Sequence, residues 1–165
     1  MQIMPLAGRR TTLFLVPLNA AMAEFGIDTP LRQAAFLAQV GHESGQLRYV
    51  RELASGAAYE GRADLGNVLA GDGVRFKGRG LLQVTGRANY AACGVALGLD
   101  LLAAPQLLEQ AVAACRSAGW FWQSRGLNRL ADAGDQERVT RRINGGVNGL
   151  TERLALYQTA RKVLA

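Results

Sequence analysis

A chain of 165 residues, 49% hydrophobic and 19% charged, is long enough for one domain with its own buried core and too apolar to be disordered or fibrous. Its net charge of +6 and pI near 10.0 favour polyanionic partners such as nucleic acid, anionic lipid headgroups or anionic wall polymers. The basic residues are scattered and almost all arginine, with lysine only at Lys77 and Lys162, which speaks against nucleic acid; two cysteines exclude a disulfide framework, and a lone histidine with no cysteine at ligand spacing argues against a metal site.

In chain order, Arg9-Arg10, the apolar stretch after it and Ala21-Met22-Ala23 superficially resemble a secretory signal. That stretch is short and broken by Pro17, whereas Leu18, Met22 and Phe25 continue a helical stripe that stops at Gly26. The segment therefore reads as a first helix over 11–25. No segment approaches the roughly 18 apolar residues of a membrane span, so the expectation is synthesis in the cytoplasm, with any role at a cell wall needing another route out. Asp28-Thr29-Pro30 opens a second helix with a cap followed by proline. Leu31, Ala34, Ala35, Phe36, Leu37, Ala38 and Val40 cover nearly every face of it, which predicts a buried spine ending near Glu43-Ser44-Gly45.

Glycines crowd residues 56–80 and no helical period survives there. This region reads as loop, with 75–84 supplying a short hairpin and Thr85-Gly86 leading into a third helix over 87–97. Pro105 starts a long fourth helix that runs to Gly126, and helices at 135–143 and 151–164 flank the turn Asn144-Gly145-Gly146-Val147-Asn148-Gly149. The predicted fold is mainly α, formally α+β: one domain over 1–165, with a small loop or hairpin region that forms one wall of a cleft. Cys93 and Cys115 read as small buried residues whose pairing stays open.

Glu43, in Gly41-His42-Glu43-Ser44-Gly45, is the most informative residue. The negative end of its helix and its apolar surroundings both disfavour the charged carboxylate, as a general acid near neutral pH requires; the local alternative is a bond to His42 or nearby backbone. His42, the only histidine, suits a hydrogen-bonding helper better than a triad or metal role. Glycoside hydrolysis usually needs a second carboxylate across the sugar, and Glu52, Glu60 and Asp64 are the candidates, with Glu60 close enough in sequence to pair with Arg62. Gly71-Asp72-Gly73 and Gly78-Arg79-Gly80 lack the ending of a phosphate loop. Consecutive Trp120, Phe121 and Trp122 point in different directions on a helix, so one serves the core and another can edge a cleft as a sugar platform.

Four segments resemble glycoside hydrolase family 19, the plant-type chitinases and phage or prophage endolysins, and specifically its short endolysin branch, the chitinase-like lysozymes. They are Ala35-Phe36-Leu37-Ala38-Gln39-Val40-Gly41-His42-Glu43-Ser44-Gly45, then Gly71-Asp72-Gly73 leading to Gly78-Arg79-Gly80-Leu81-Leu82-Gln83-Val84-Thr85-Gly86, then Asn89-Tyr90, and Ile143-Asn144-Gly145-Gly146. The resemblance runs from about Leu18 onward. It implies a two-lobed, lysozyme-like helical fold and an inverting mechanism with Glu43 as proton donor. It also implies Glu52 as the base that activates water and Thr85 as a residue that helps hold that water. His42, Gln83, Asn89, Tyr90, Asn144 and Arg153 would contact or position substrate, Arg153 standing near the glutamates. The short stretch over 53–67, reading Ala54-Ser55-Gly56-Ala57-Ala58, departs from many relatives and leaves Glu60 as the alternative base. Inversion implies carboxyls about 6.5–9.5 Å apart.

The leading expectation is an endolysin that cuts the β-1,4 bond between N-acetylmuramic acid and N-acetylglucosamine in peptidoglycan. A chitinase acting on β-1,4-linked N-acetylglucosamine and a non-catalytic wall-binding module are the alternatives. No cofactor and no nucleic acid are expected; a holin is the expected partner for passage through the membrane, and the working form is a monomer.

Overall fold

The structure, a computed structural model, describes residues 2–165. Among them, eight α-helices build the fold: α1 (Arg10–Glu24), α2 (Pro30–Glu43), α3 (Asp72–Arg75), α4 (Arg87–Leu97), α5 (Ala111–Ser124), α6 (Leu127–Asp132), α7 (Gln136–Asn144) and α8 (Leu150–Leu164). None of them is long and apolar enough to cross a membrane.

Helix α2 starts as its sequence dictates: Thr29 Oγ1 accepts from the Arg32 N–H at 3.3 Å, and Pro30 takes the first helical position. Ala34, Ala35, Phe36, Ala38, Gln39, Val40 and Gly41 are all buried, so this helix is the spine. It packs chiefly on α8, while α1 packs on α5. Trp122 of α5 is fully buried and meets Phe36 edge-on, 5.4 Å between ring centres. Truncating either ring to alanine removes about 3–5 kcal/mol of stability, the usual cost of emptying an aromatic site in a core. Pro17 lies inside α1. The helix tolerates it because the face with Phe14, Leu18, Ala21 and Met22 is anchored in the core.

Three sequence expectations change. The hairpin over 75–84 is reduced to isolated antiparallel bridges, Arg51 with Arg79 and Arg79 with Val84, and its first residue, Arg75, ends α3 instead. The helix expected from Pro105 is a 3-10 turn, Pro105–Glu109, interrupted at the extended Gln110 before α5 begins. After Gly126, at φ +62°, the chain forms α6, which buries Leu127, Leu130 and Ala131. Cys93 and Cys115 are buried and unpaired, each thiol pushed up to about 12 by burial.

Candidate active site

Glu43 is the last residue of α2, and α8 brings Arg153 to it. The Arg153 side chain is 2% exposed; its Nη2 donates to Glu43 Oε1 at 2.5 Å, its Nη1 to Gln39 Oε1, and its Nε to the Asn148 carbonyl at 3.2 Å. Gln39 Nε2 donates in turn to Thr140 Oγ1 at 3.2 Å, and Thr140 Oγ1 donates to the Gln136 carbonyl at 2.8 Å. One hydrogen-bonded chain through α2, α7 and α8 therefore fixes one oxygen of Glu43 and leaves Oε2 outside it. His42 Nδ1 meets Glu152 Oε2 at 2.7 Å, a second tie between α2 and α8. Gly149, just before α8, sits at φ +71°, and a Cβ there would stand 2.1 Å from His42 Cε1. Only glycine allows this approach.

Glu52 is held by the reduced hairpin. Its N–H donates to the Gly78 carbonyl at 3.0 Å, while the Gly80 N–H donates to Val50 at 2.8 Å. The Tyr59 O–H donates to Glu52 Oε2 at 2.9 Å; burial, then this contact, raises the phenol above its ordinary value, which keeps it a donor. Glu52 Oε1 is buried and accepts no hydrogen bond from the described residues. Such an acceptor costs about 1–3 kcal/mol, and more when charged. A Cβ at Gly78 would lie 2.2 Å from Gln83 Oε1 and 3.0 Å from Glu52 Oε2, so both side chains rest over that glycine. Gln83 itself is held at φ +48°, a conformation that costs a non-glycine residue about 1–3 kcal/mol.

The other acids are committed elsewhere. Glu60 Oε1 accepts from the Gly71 N–H at 2.6 Å and Oε2 from the Gly73 N–H at 2.8 Å, capping α3 from a distance. Arg62 pairs with Asp64 at 2.6 Å and not with Glu60. Of the three carboxylates weighed as second acid, Glu52 is the one with an unengaged oxygen.

Gln83, Thr85 and Asn89 line a pocket of about 170 Å³ together with Trp120, Phe121, Arg125 and Ile143. Thr85 Oγ1 donates to the Gln83 carbonyl at 3.2 Å and Asn89 Nδ2 to the Thr85 carbonyl at 2.8 Å, so the three residues form one braced unit. Trp120 edges this pocket while Trp122 serves the core. A larger groove of about 360 Å³ runs along α1, lined by Leu15, Leu37 and Val163 among others, and the candidate acids line neither cavity.

Of the expected substrate contacts, Tyr90 and Arg153 are buried and Asn144 is engaged within its own turn. Tyr90 is fully buried against Phe76; its O–H donates to the Lys77 carbonyl at 2.6 Å and accepts from Arg79 at 3.0 Å, so it braces the wall from behind. Arg153 is buried on Glu43 instead of facing a ligand. Asn144 ties its own turn, accepting from the Gly146 N–H at 2.8 Å and donating to the Asn148 carbonyl at 3.0 Å, the same carbonyl that takes Arg153 Nε. Sequence reasoning missed Tyr59, Thr140, Glu152 and Arg125 as site residues. It quoted Gln39 but gave it no role, although a glutamine inside an apolar helical run signals a buried polar partner.

A family model for glycoside hydrolase 19, described as chitinase class I, matches residues 30–132, a stretch that holds Glu43, Glu52, Gln83, Thr85 and Asn89 but not Arg153. A glycosyl hydrolase family 19 domain-containing protein of Haemophilus influenzae is 33% identical over 172 aligned positions, covering 86% of this chain and 84% of that protein. An endochitinase of Arabidopsis thaliana is 37% identical over 114 positions, covering 68% of this chain but 39% of the plant protein. The crystal structure of a bacterial family 19 chitinase superposes with a TM-score of 0.76 at 25% identity, covering 94% of this chain and 92% of that one.

Proposed function

The chain belongs to glycoside hydrolase family 19, with that family's lysozyme-like helical fold, and from that premise we propose that it is an endolysin-type enzyme cutting the glycan strand of peptidoglycan. The bond cleaved is the β-1,4 link between N-acetylmuramic acid and N-acetylglucosamine. The observation that carries the assignment of roles is the contrast between the two glutamates: Glu43 tied by Arg153 through one oxygen, Glu52 presenting a buried, unengaged one.

In this reading Glu43 Oε2 carries the proton and delivers it to the leaving glycosidic oxygen as the anomeric C–O bond breaks. Arg153 then neutralises the carboxylate that remains. Glu52 accepts a proton from the attacking water, whose oxygen bonds the anomeric carbon from the opposite face, and Thr85 helps orient that water. One water is added across one bond, with inversion. Gln83 and Asn89 position the sugar and Trp120 stacks on it. The net charge of +6 draws the protein to an anionic wall, an attraction that salt weakens.

Chitin is the competing substrate, because the superposed bacterial structure is of a chitinase and the plant relative is an endochitinase. The deciding assay is turbidity loss and fragment mass on outer-membrane-stripped Gram-negative walls, run beside chitin. Wild type should release fragments with new reducing ends at muramic acid, and Glu43→Gln should lower the rate by about 10²- to 10⁴-fold, the usual worth of a general acid. Cleavage of chitin with untouched walls would sink the substrate assignment; wall binding without cleavage would favour a binding module. Delivery, in the same proposal, is by a holin lesion to a monomer made in the cytoplasm, so cells expressing this chain alone should stay turbid until their membrane is permeabilised. Lysis without permeabilisation overturns that part.

A further inference from the structure

Six arginines of the described residues are at least partly buried, and five of them face a carboxylate: Arg32 with Asp132, Arg79 with Glu109, Arg87 with Asp72, Arg116 with Glu24 and Arg153 with Glu43. Arg125 is the sixth. It follows the last residue of α5, stacks its guanidinium 3.7 Å from the centre of the Phe121 ring and lines the same pocket as Gln83, Thr85 and Asn89. No carboxylate among the described residues forms an ion pair or hydrogen bond with it. Burial alone pulls its guanidinium below the usual arginine range.

The face of Phe121 and the carbonyl end of α5 offset part of the cost of burying this charge. Neither supplies a full anion, and a desolvated cation without one is expensive. Arg142 Nη1 donates to the Arg125 backbone carbonyl at 3.0 Å, so the other charged group bonded to this residue is also a cation. The pocket thus offers a ligand a guanidinium with no carboxylate partner, in the same lining as the proposed sugar-positioning residues.

Chitin has no anion to give such a group, since its repeating unit carries only neutral hydroxyls and acetamides. A peptidoglycan strand carries a carboxyl on every second sugar, either as the free lactyl acid of muramic acid or as acids of the attached peptide. We propose that Arg125 is a specificity-determining residue that pairs with a carboxylate projecting from the muramic acid unit. This rests on the cleft and substrate class proposed above and identifies the side chain that reads that class.

The test compares kcat/KM of wild type, Arg125→Gln and Arg125→Lys on four substrates: intact sacculi, glycan strands freed of peptide by an amidase, sacculi whose carboxyls have been amidated, and N-acetylglucosamine oligomers. Losing one charge-assisted contact should lower the ratio of sacculus to oligomer kcat/KM by about tenfold to a hundredfold in Arg125→Gln. The loss should fall mainly in KM, with Arg125→Lys intermediate, and amidated sacculi should make wild type behave like the variant. If peptide-free strands retain the Arg125 dependence, the lactyl acid is the partner; if they lose it while intact sacculi keep it, a peptide acid is. An unchanged ratio with active wild type overturns this inference alone. A wild type that cuts only the oligomers overturns the substrate reading beneath it as well, and cleavage of the oligomers by the variant shows that it has folded.

Discussion

The two carboxylates stand in differently built surroundings. Glu43 closes a helix and is gripped by Arg153, itself gripped by Gln39 and Asn148, with Thr140 behind Gln39. Glu52 lies on a loop, fixed by one bridge of backbone pairing and one phenol. The first environment holds a carboxyl within a network that resists change; the second keeps an oxygen unengaged at a standing cost. A proton donor must be aimed, and a base must have an acceptor to spare, so the difference in construction matches the difference in proposed task.

The strongest way to break the contrast is at Arg153. Arg153→Met removes the cation from Glu43 and leaves Gln39 and Asn148 without a donor, so stability should fall by about 2–4 kcal/mol and kcat by on the order of 10²-fold. Urea unfolding and wall hydrolysis read the two effects, and a variant with wild-type kcat would remove Arg153 from the acid's machinery. A gentler probe is Tyr59→Phe, which frees the second oxygen of Glu52. It should cost about tenfold in kcat with less than about 1 kcal/mol of stability, and a stability loss without a rate loss would make Tyr59 structural only.

The smallest effect separates the scaffold of the Glu52 side from the site itself. Asp72 is held down to about 2 by Arg87, which donates to it through two nitrogens at 2.8 and 2.6 Å. A carboxylate lowered on folding stabilises the protein above its unfolded value near 3.8 and loses that contribution as pH falls through about 2. Asp72→Asn should therefore melt below wild type at pH 6, with the two curves converging between about pH 4 and 2. A constant gap across that range would mean that the pair is not what holds this loop.

What the sequence made legible follows the range of the interactions. Helices α1, α2, α4, α7 and α8 carry their own signals, such as the Thr29-Pro30 start and Asp135 accepting from the Arg138 N–H. Helix α3 has no local cap, because Glu60 reaches its amides from eleven and thirteen residues away, and a stretch so rich in glycine reads as loop. Glu43 and Glu52 stood out through local pattern and resemblance. Tyr90 misled because adjacency to Asn89 says nothing about which side of α4 meets the core, and Phe76 with Arg79 claims it. Arg125 gives no local sign, since its distinction is the lack of a carboxylate partner among the described residues.

The bond between Arg153 and Glu43 spans 110 positions of chain. At about 5–20 residues per second, the arginine is added roughly 5–20 s after its glutamate. A ribosome-bound fragment that already displays the whole His42-Glu43-Ser44 segment has neither the guanidinium that grips Glu43 nor the helix that presents it. Degradative power, on this account, arrives late in synthesis, and an abandoned fragment is a harmless one.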